Sequence, residues 1–255
     1  DPAFHTVGPE GLTVEGWFYL DSLPDVGQVQ TFFTNWRKYT VGVGTARSAP
    51  DDEWYDPTEA RAFGSMWWEG ATGTGRTFTS VMGYGDDRVP PVGEWFHVAL
   101  QFHAQPPFIA SRYLNKVATN MEPGLRGPDI PVVMDTGNGP LYIATAQPNY
   151  GSRVGFRVVA HTEISNFRGL VDDFRVSSVV RYEGSDAVRP RHFVPDADTL
   201  ALWTFDGAQP LADVSGNDRD LIQDGDISIE SLAVVAVEPA GKLATTWAKI
   251  RSRAR

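Results

Sequence analysis

Leu12-Thr13-Val14-Glu15-Gly16-Trp17-Phe18-Tyr19-Leu20 decides the fold. Its first half alternates apolar and polar residues and its second half is an aromatic run, the pattern of a strand that turns one face to a core. The same period of two recurs in Trp95-Phe96-His97-Val98-Ala99-Leu100-Gln101-Phe102, in Leu141-Tyr142-Ile143-Ala144 and in Leu200-Ala201-Leu202-Trp203-Thr204-Phe205. Thr31 to Thr34, Tyr39 to Val43 and Phe78 to Met82 add further β-branched and aromatic runs, with Gly, Pro, Asn and Asp between the segments. Many short strands separated by turn signals predict an all-β sandwich or jelly roll, not βαβ units. The 25 glycines and 18 prolines among 255 residues agree, since both residues are costly inside helices.

Composition removes several function classes. The chain has no cysteine, which excludes disulfide scaffolds, thiolate zinc sites and cysteine nucleophiles. No run approaches the roughly 20 apolar residues of a membrane-spanning helix. A net charge of −10 argues against a nucleic-acid binder, which needs clustered Lys and Arg. That charge is unevenly spread. Residues 239–255 hold five cations and no acid, leaving −15 on residues 1–238. In this tail Leu243, Trp247 and Ile250 recur at i, i+4 and i+7, which predicts a short amphipathic basic helix. With Lys242, Lys249, Arg251, Arg253 and Arg255 it forms a docking segment for a partner, an anionic membrane surface or the acidic body itself. The organisation expected is one domain over 1–238 followed by this tail, with long loops at Thr45–Glu59 and Asn120–Pro131.

Four segments resemble the laminin-G-like, pentraxin-like branch of the concanavalin A-like lectin and glucanase sandwiches. Leu12 to Leu20 is similar to an early strand ending in Trp. Gly93-Glu94-Trp95-Phe96-His97-Val98-Ala99-Leu100 resembles the W-x-H-V-A strand, and Tyr113-Leu114-Asn115 the Y-V-N-G hairpin that follows it. Phe167-Arg168-Gly169-Leu170-Val171-Asp172-Asp173-Phe174-Arg175-Val176-Ser177 is similar to G-x-I-D-E-V-R-I. Leu200 to Phe205 with Asp213-Val214-Ser215-Gly216-Asn217 resembles an element that often opens such domains; here it stands late in the chain, as in a circular permutation. Two glycines of the pattern are replaced, by Lys116 and by Ala144, so Asn115 is expected to carry the hairpin turn. The resemblance implies a jelly-roll β-sandwich, an extracytoplasmic location (periplasmic, cell-surface or secreted) and a structural Ca2+ near the rim.

Candidate sites follow from the residues. Alternation from Leu170 puts Asp172 on the face of Phe174 and Val176, where a carboxylate must be paired, hydrogen-bonded or metal-bound. Asp206, Asp213 and Asn217 would complete an oxygen-rich calcium site with it; the alternative is a turn in which Asp213 and Asn217 make Asx bonds. Trp36, Trp54, Tyr55, Trp67 and Trp68 fall within 33 residues, and exposed aromatics stack on the C–H faces of sugars. Trp54 and Tyr55, in a polar loop, are the better candidates, with Trp36 and Trp67 beside them; the alternative is aromatics packing a loop onto the sandwich.

Catalytic patterns are missing. Glu53, Asp56 and Glu59 are spaced for a loop with Pro57 in it, not for a glycosidase sheet face. The five histidines (His5, His97, His103, His161 and His192) form no metal-hydrolase motif, and His97 reads as structural. The expectation is a non-enzymatic recognition module binding carbohydrate or a protein surface through its loop rim. The rival expectation is an accessory structural subunit of a larger, membrane-associated assembly, anchored by the basic tail. A glycoside hydrolase is the minor alternative.

Overall fold

The computed structural model describes residues 4, 7–25, 28–35, 39–45, 60–69, 75–81, 89–104, 110–115, 117–121, 133–134, 140–144, 163–165, 167–184, 188–224, 227–233 and 246–252. Two sheets face each other. The first has six strands. At its centre β1 (Leu12–Leu20) lies between β6 (Trp95–Phe102) and β12 (Gly169–Ser177). β13 (Thr199–Trp203) extends it beyond β12, and β7 (Ala110–Leu114) and β8 (Val117–Met121) extend it beyond β6. The second has seven strands and is built on β2 (Gln28–Asn35), β3 (Tyr39–Thr45), β4 (Ala60–Glu69) and β5 (Gly75–Val81). β9 (Val133–Met134) pairs with β4, while β10 (Leu141–Ile143) and β11 (Glu163–Ser165) pair with β2, the last in parallel. No α-helix occurs among the described residues.

The alternation in sequence becomes a division of faces. Val14, Phe18 and Leu20 of β1 and Phe96, Val98, Leu100 and Phe102 of β6 enter one buried cluster. Phe32, Phe33, Tyr39, Val41 and Val43 of the opposite sheet meet them there. Phe18 bridges the layers, with ring centroids 5.0 Å from Phe32 and 6.4 Å from Phe174. Such aromatic pairs add roughly 0.5–1.5 kcal/mol each beyond burial. The β-sandwich is therefore the architecture of the chain.

Two local expectations are corrected. Asp172 does not share the face of Phe174. The pairing of β1 with β12 runs Gly16 to Phe174 and then Trp17 to Asp172, so Asp173 is an extra residue, a β-bulge, with φ of +40°. One extra residue reverses the alternation. Val171, Phe174 and Val176 all reach the core, and Asp172, opposite Trp17, turns outward. The basic tail is likewise not helical where it is described. Thr246–Ser252 is a strand, β15, paired antiparallel with β14 (Ile227–Ala233) from Ile227–Ser252 to Ala233–Thr246. A short isolated helix is marginal. A continuous antiparallel ladder satisfies the backbone of this segment instead, and its β-branched Thr246 and Ile250 suit a strand. The β14–β15 ribbon lies against β12.

The departures from glycine at two turns are tolerated as left-handed residues. Asn115 takes φ of +51° and its Oδ1 accepts the His97 N–H at 2.9 Å. Ala144 takes φ of +59°, its N–H donating to the Phe32 carbonyl.

Candidate functional site

Over β1, β6 and β12 the outward face carries the buried polar residues Thr13, Glu15, His97, Gln101 and Arg175, because the segment after β12 folds back across it. This strap, residues 178–184 and 188–198 as described, is tied down by side chains of β1, β6, β7 and β12. Gln101 accepts the N–H groups of Arg181 and Tyr182, each at 2.8 Å, and donates to the Tyr182 carbonyl at 2.9 Å. Thr13 donates to the Val179 carbonyl and Trp17 Nε1 to the Pro190 carbonyl. Arg181 makes a two-pronged ion pair with Asp196 inside the strap, at 2.5 and 2.7 Å.

Beneath the strap sits a sealed ionic network. Glu15 Oε1 accepts both Arg175 Nε and Nη2, at 2.9 and 2.7 Å, so two charge-assisted hydrogen bonds converge on one oxygen. Its Oε2 bonds His97 Nε2 at 2.9 Å and accepts the Tyr182 hydroxyl. Burial alone would raise the Glu15 carboxyl, but the His97 bond, the Arg175 charge and the Tyr182 hydroxyl together hold it below its usual value. Burial pushes His97 down. A neutral His97 bonding that carboxylate carries its proton on Nε2, leaving Nδ1 without a hydrogen-bond partner among the rings of Trp17, Tyr182 and Phe193. Arg189 stacks between the rings of Tyr113 and Tyr182, 4.5 and 4.2 Å from their centroids.

At one end of the strap lies an acidic cluster. The bulge brings two adjacent carboxylates, Asp172 and Asp173, to the same place, where His192 of the strap meets them. Donor atoms of the three lie within 4.8 Å of one another. His192 Nδ1 is 3.3 Å from Asp173 Oδ2, which also accepts the Phe193 N–H at 2.8 Å. Asp173 Oδ1 has no hydrogen-bond partner, although the residue is only 1% exposed. Burial, followed by the charges of Asp173 and Asp206, lifts Asp172 to about 8. Burial lifts Asp173 to about 6 against the opposing Phe193 N–H and His192 charge. Asp206, exposed, is also raised, first by desolvation. Removing protons from this group concentrates negative charge in a poorly solvated place, which a cation would relieve.

Of the four residues expected to bind calcium, Asp172 and Asp206 interact electrostatically here and the other two are engaged elsewhere. Asp213 Oδ1 accepts the N–H groups of Leu202 and Ser215, and Oδ2 accepts the Ser215 hydroxyl and the Arg219 N–H. Those bonds outweigh burial and lower its carboxyl. Asn217 Nδ2 donates to the Thr199 and Leu200 carbonyls. Asp213 thus makes an Asx bond to Ser215, while Asn217 donates back to β13 and its neighbouring carbonyl and makes no such bond here. Asp173 and His192 were not singled out by the sequence reading. Their signal is tertiary, since a bulge and a strap unite positions 19 residues apart.

The aromatic candidates Trp36, Trp54 and Tyr55 lie outside the described residues, as do Lys242, Leu243, Arg253 and Arg255 and the acids Glu53, Asp56 and Glu59. Trp67 is placed on β4 opposite Thr77 of β5. Trp247, Lys249, Ile250 and Arg251 are placed on β15, opposite Leu232, Glu230, Ile229 and Ser228.

No family model matches the chain, and no curated protein matches it. A similar solved structure is domain 4 of AbnA, a GH43 extracellular arabinanase from Geobacillus stearothermophilus, in complex with arabinotriose. The TM-score is 0.34 at 14% identity; the match covers 66% of this chain and spans 60% of that one.

Proposed function

We propose that this chain is a non-catalytic, extracytoplasmic recognition module, a jelly roll of the laminin-G-like, concanavalin A-like type, that binds carbohydrate or a protein surface at its loop rim. The observation that carries the reading is the sealing of Glu15 and His97. Both side chains have zero exposure and bond each other beneath the strap, a burial that supports a structural role for this acid–base pair. The acidic cluster supports a structural role for a divalent cation joining the strap to β12; calcium is the ion the family resemblance implies, and the three aspartates offer the hard oxygens it takes. Trp36, Trp54, Tyr55 and Trp67 supply the stacking surfaces in this proposal. Its test is a Trp54→Ala/Tyr55→Ala variant on a glycan array. Loss of saturable retention by a variant of unchanged thermal stability supports the site, and unchanged retention refutes it.

The second reading, an accessory subunit of a larger assembly, is favoured by the β14–β15 ribbon. Among the described residues it is a two-stranded sheet, and a partner strand added to it is the contact this reading expects. This reading expects co-purification in a stable complex that is lost when residues 239–255 are deleted. The recognition reading expects glycan binding indifferent to that deletion.

A further inference from the structure

We propose that the cluster of Asp172, Asp173 and His192 binds a first-row transition-metal ion of the zinc type, with His192 as a ligand, in place of the all-oxygen calcium site implied by the resemblance. The inference rests on the reading that this cluster holds a cation, and it deepens that reading to the class of ion.

The donor set is the first argument. Calcium takes six to eight oxygens. Asp213 and Asn217, the side chains that would raise the oxygen count, are occupied by backbone groups of their own turn. What remains is Asp172, Asp173 and the nearby Asp206, together with an imidazole. A ring nitrogen is a poor ligand for a hard ion and a good one for zinc.

Geometry is the second. The His192 Nδ1 to Asp173 Oδ2 separation is 3.3 Å. The ring therefore stands beside the carboxylate, and donor atoms of Asp172, Asp173 and His192 all lie within 4.8 Å of one another. The Phe193 N–H fixes the Asp173 carboxylate through Oδ2, leaving Oδ1 buried and unbonded. A buried carboxylate oxygen without a donor is costly, and a metal ion is a partner that satisfies it.

Chain placement is the third. In a regular strand Asp172 and Asp173 would point to opposite faces. The left-handed conformation of Asp173, φ +40°, brings both to one cluster. A non-glycine residue held there is strained and needs compensation. His192 is half-exposed, 43% at its side chain, so solvent can complete the coordination. An ion here would cross-link β12 to the strap beside the Phe193 anchor.

The test uses the full chain freed of metal with EDTA, then titrated calorimetrically with Zn2+, Mn2+ and Ca2+ alone. Absorption of the Co2+ form reports the coordination number. The expected result is one Zn2+ per chain, bound more tightly than Mn2+, with the intense visible absorption of four-coordinate Co2+. His192→Ala should weaken Zn2+ by more than the ~10–100-fold that loss of a partner behind a ligand costs. Its metal-free melting temperature should fall below the parent's, because the ring also pairs with the buried Asp173 carboxylate, so zinc affinity is read by titration at a temperature where both proteins are folded. Asp173→Asn, which keeps an acceptor for Phe193, should weaken Zn2+ similarly. Calcium binding that is indifferent to His192→Ala, with no transition-metal binding, overturns this inference and leaves the cation reading standing. Failure of every ion to bind overturns both.

Discussion

Replacing Glu15 by Gln tests whether the sealed network holds the strap and sheet together. Gln keeps the shape and one acceptor for Arg175 but removes the negative charge facing Arg175, whose side chain is only 7% exposed. Breaking a buried charge pair costs roughly 3–5 kcal/mol, and retention of an acceptor places this variant near the lower end, at about 3 kcal/mol. For a chain of this size about 1 kcal/mol moves the melting temperature by ~2–4 °C, so a fall of ~6–12 °C is expected. Urea unfolding followed by tryptophan fluorescence measures the change in free energy directly. Tyr182→Phe removes one hydrogen bond to the same carboxylate and should cost about 1.5–3 kcal/mol. The double variant should lose less than the sum of the two, because both changes act on one carboxylate group. The pH dependence has a definite sign. Glu15 is held below its ordinary value of 4.5, so its contribution is complete above that pH and disappears as pH falls through the folded-state value. The gap between parent and Glu15→Gln should therefore be full at neutral pH and close in acid. His97, also lowered, acts in the same direction, since the unfolded chain takes up its proton first below about 6.5. A Glu15→Gln protein within about 0.5 kcal/mol of the parent at neutral pH, the scatter of an ordinary surface substitution, refutes the reasoning.

Three further outcomes are expected. Asn115→Ala should be less stable than Asn115→Gly by about 1 kcal/mol, reversing the usual order of the two residues, because φ is +51° there; equal stabilities in urea would contradict the turn assignment. Gly169→Ala should destabilise by about 3 kcal/mol or more, since a Cβ would overlap the Tyr19 carbonyl oxygen on the neighbouring strand; an unaltered thermal midpoint would show that the strands separate easily. Asp213→Ala should cost about 2–3 kcal/mol in calorimetry, with or without added divalent cation, because its oxygens hold a turn; a loss seen only with metal present would return Asp213 to the cation site.

The sandwich was legible because burial on one face of a strand imposes a period of two. Leu12 to Leu20 and Trp95 to Phe102 show that period, and the structure divides their side chains accordingly. His97 as a structural residue was legible from its strand, although its partner was not. Glu15 stands at an outward position of β1, where a glutamate is unremarkable until the strap covers it. The acidic cluster escaped because alternation was extended through a bulge. A single left-handed residue at Asp173 moved Asp172 to the other face and admitted His192 as its neighbour. The tail misled for a related reason. Residues 243, 247 and 250 satisfy a helical spacing, yet the partner strand at 227–233 lies outside the window in which that spacing is read.

The sequence by itself determined the all-β character, the sandwich and the inward residues of its central strands, since these follow from local periodicity and the cost of burying polar groups. Tertiary structure settled which polar residues are sealed, that Asp172, Asp173 and His192 come together, and which way the residues around Asp173 face. Those outcomes depend on a bulge, a strap and a register, and each joins positions whose separation along the chain carries no periodic signal.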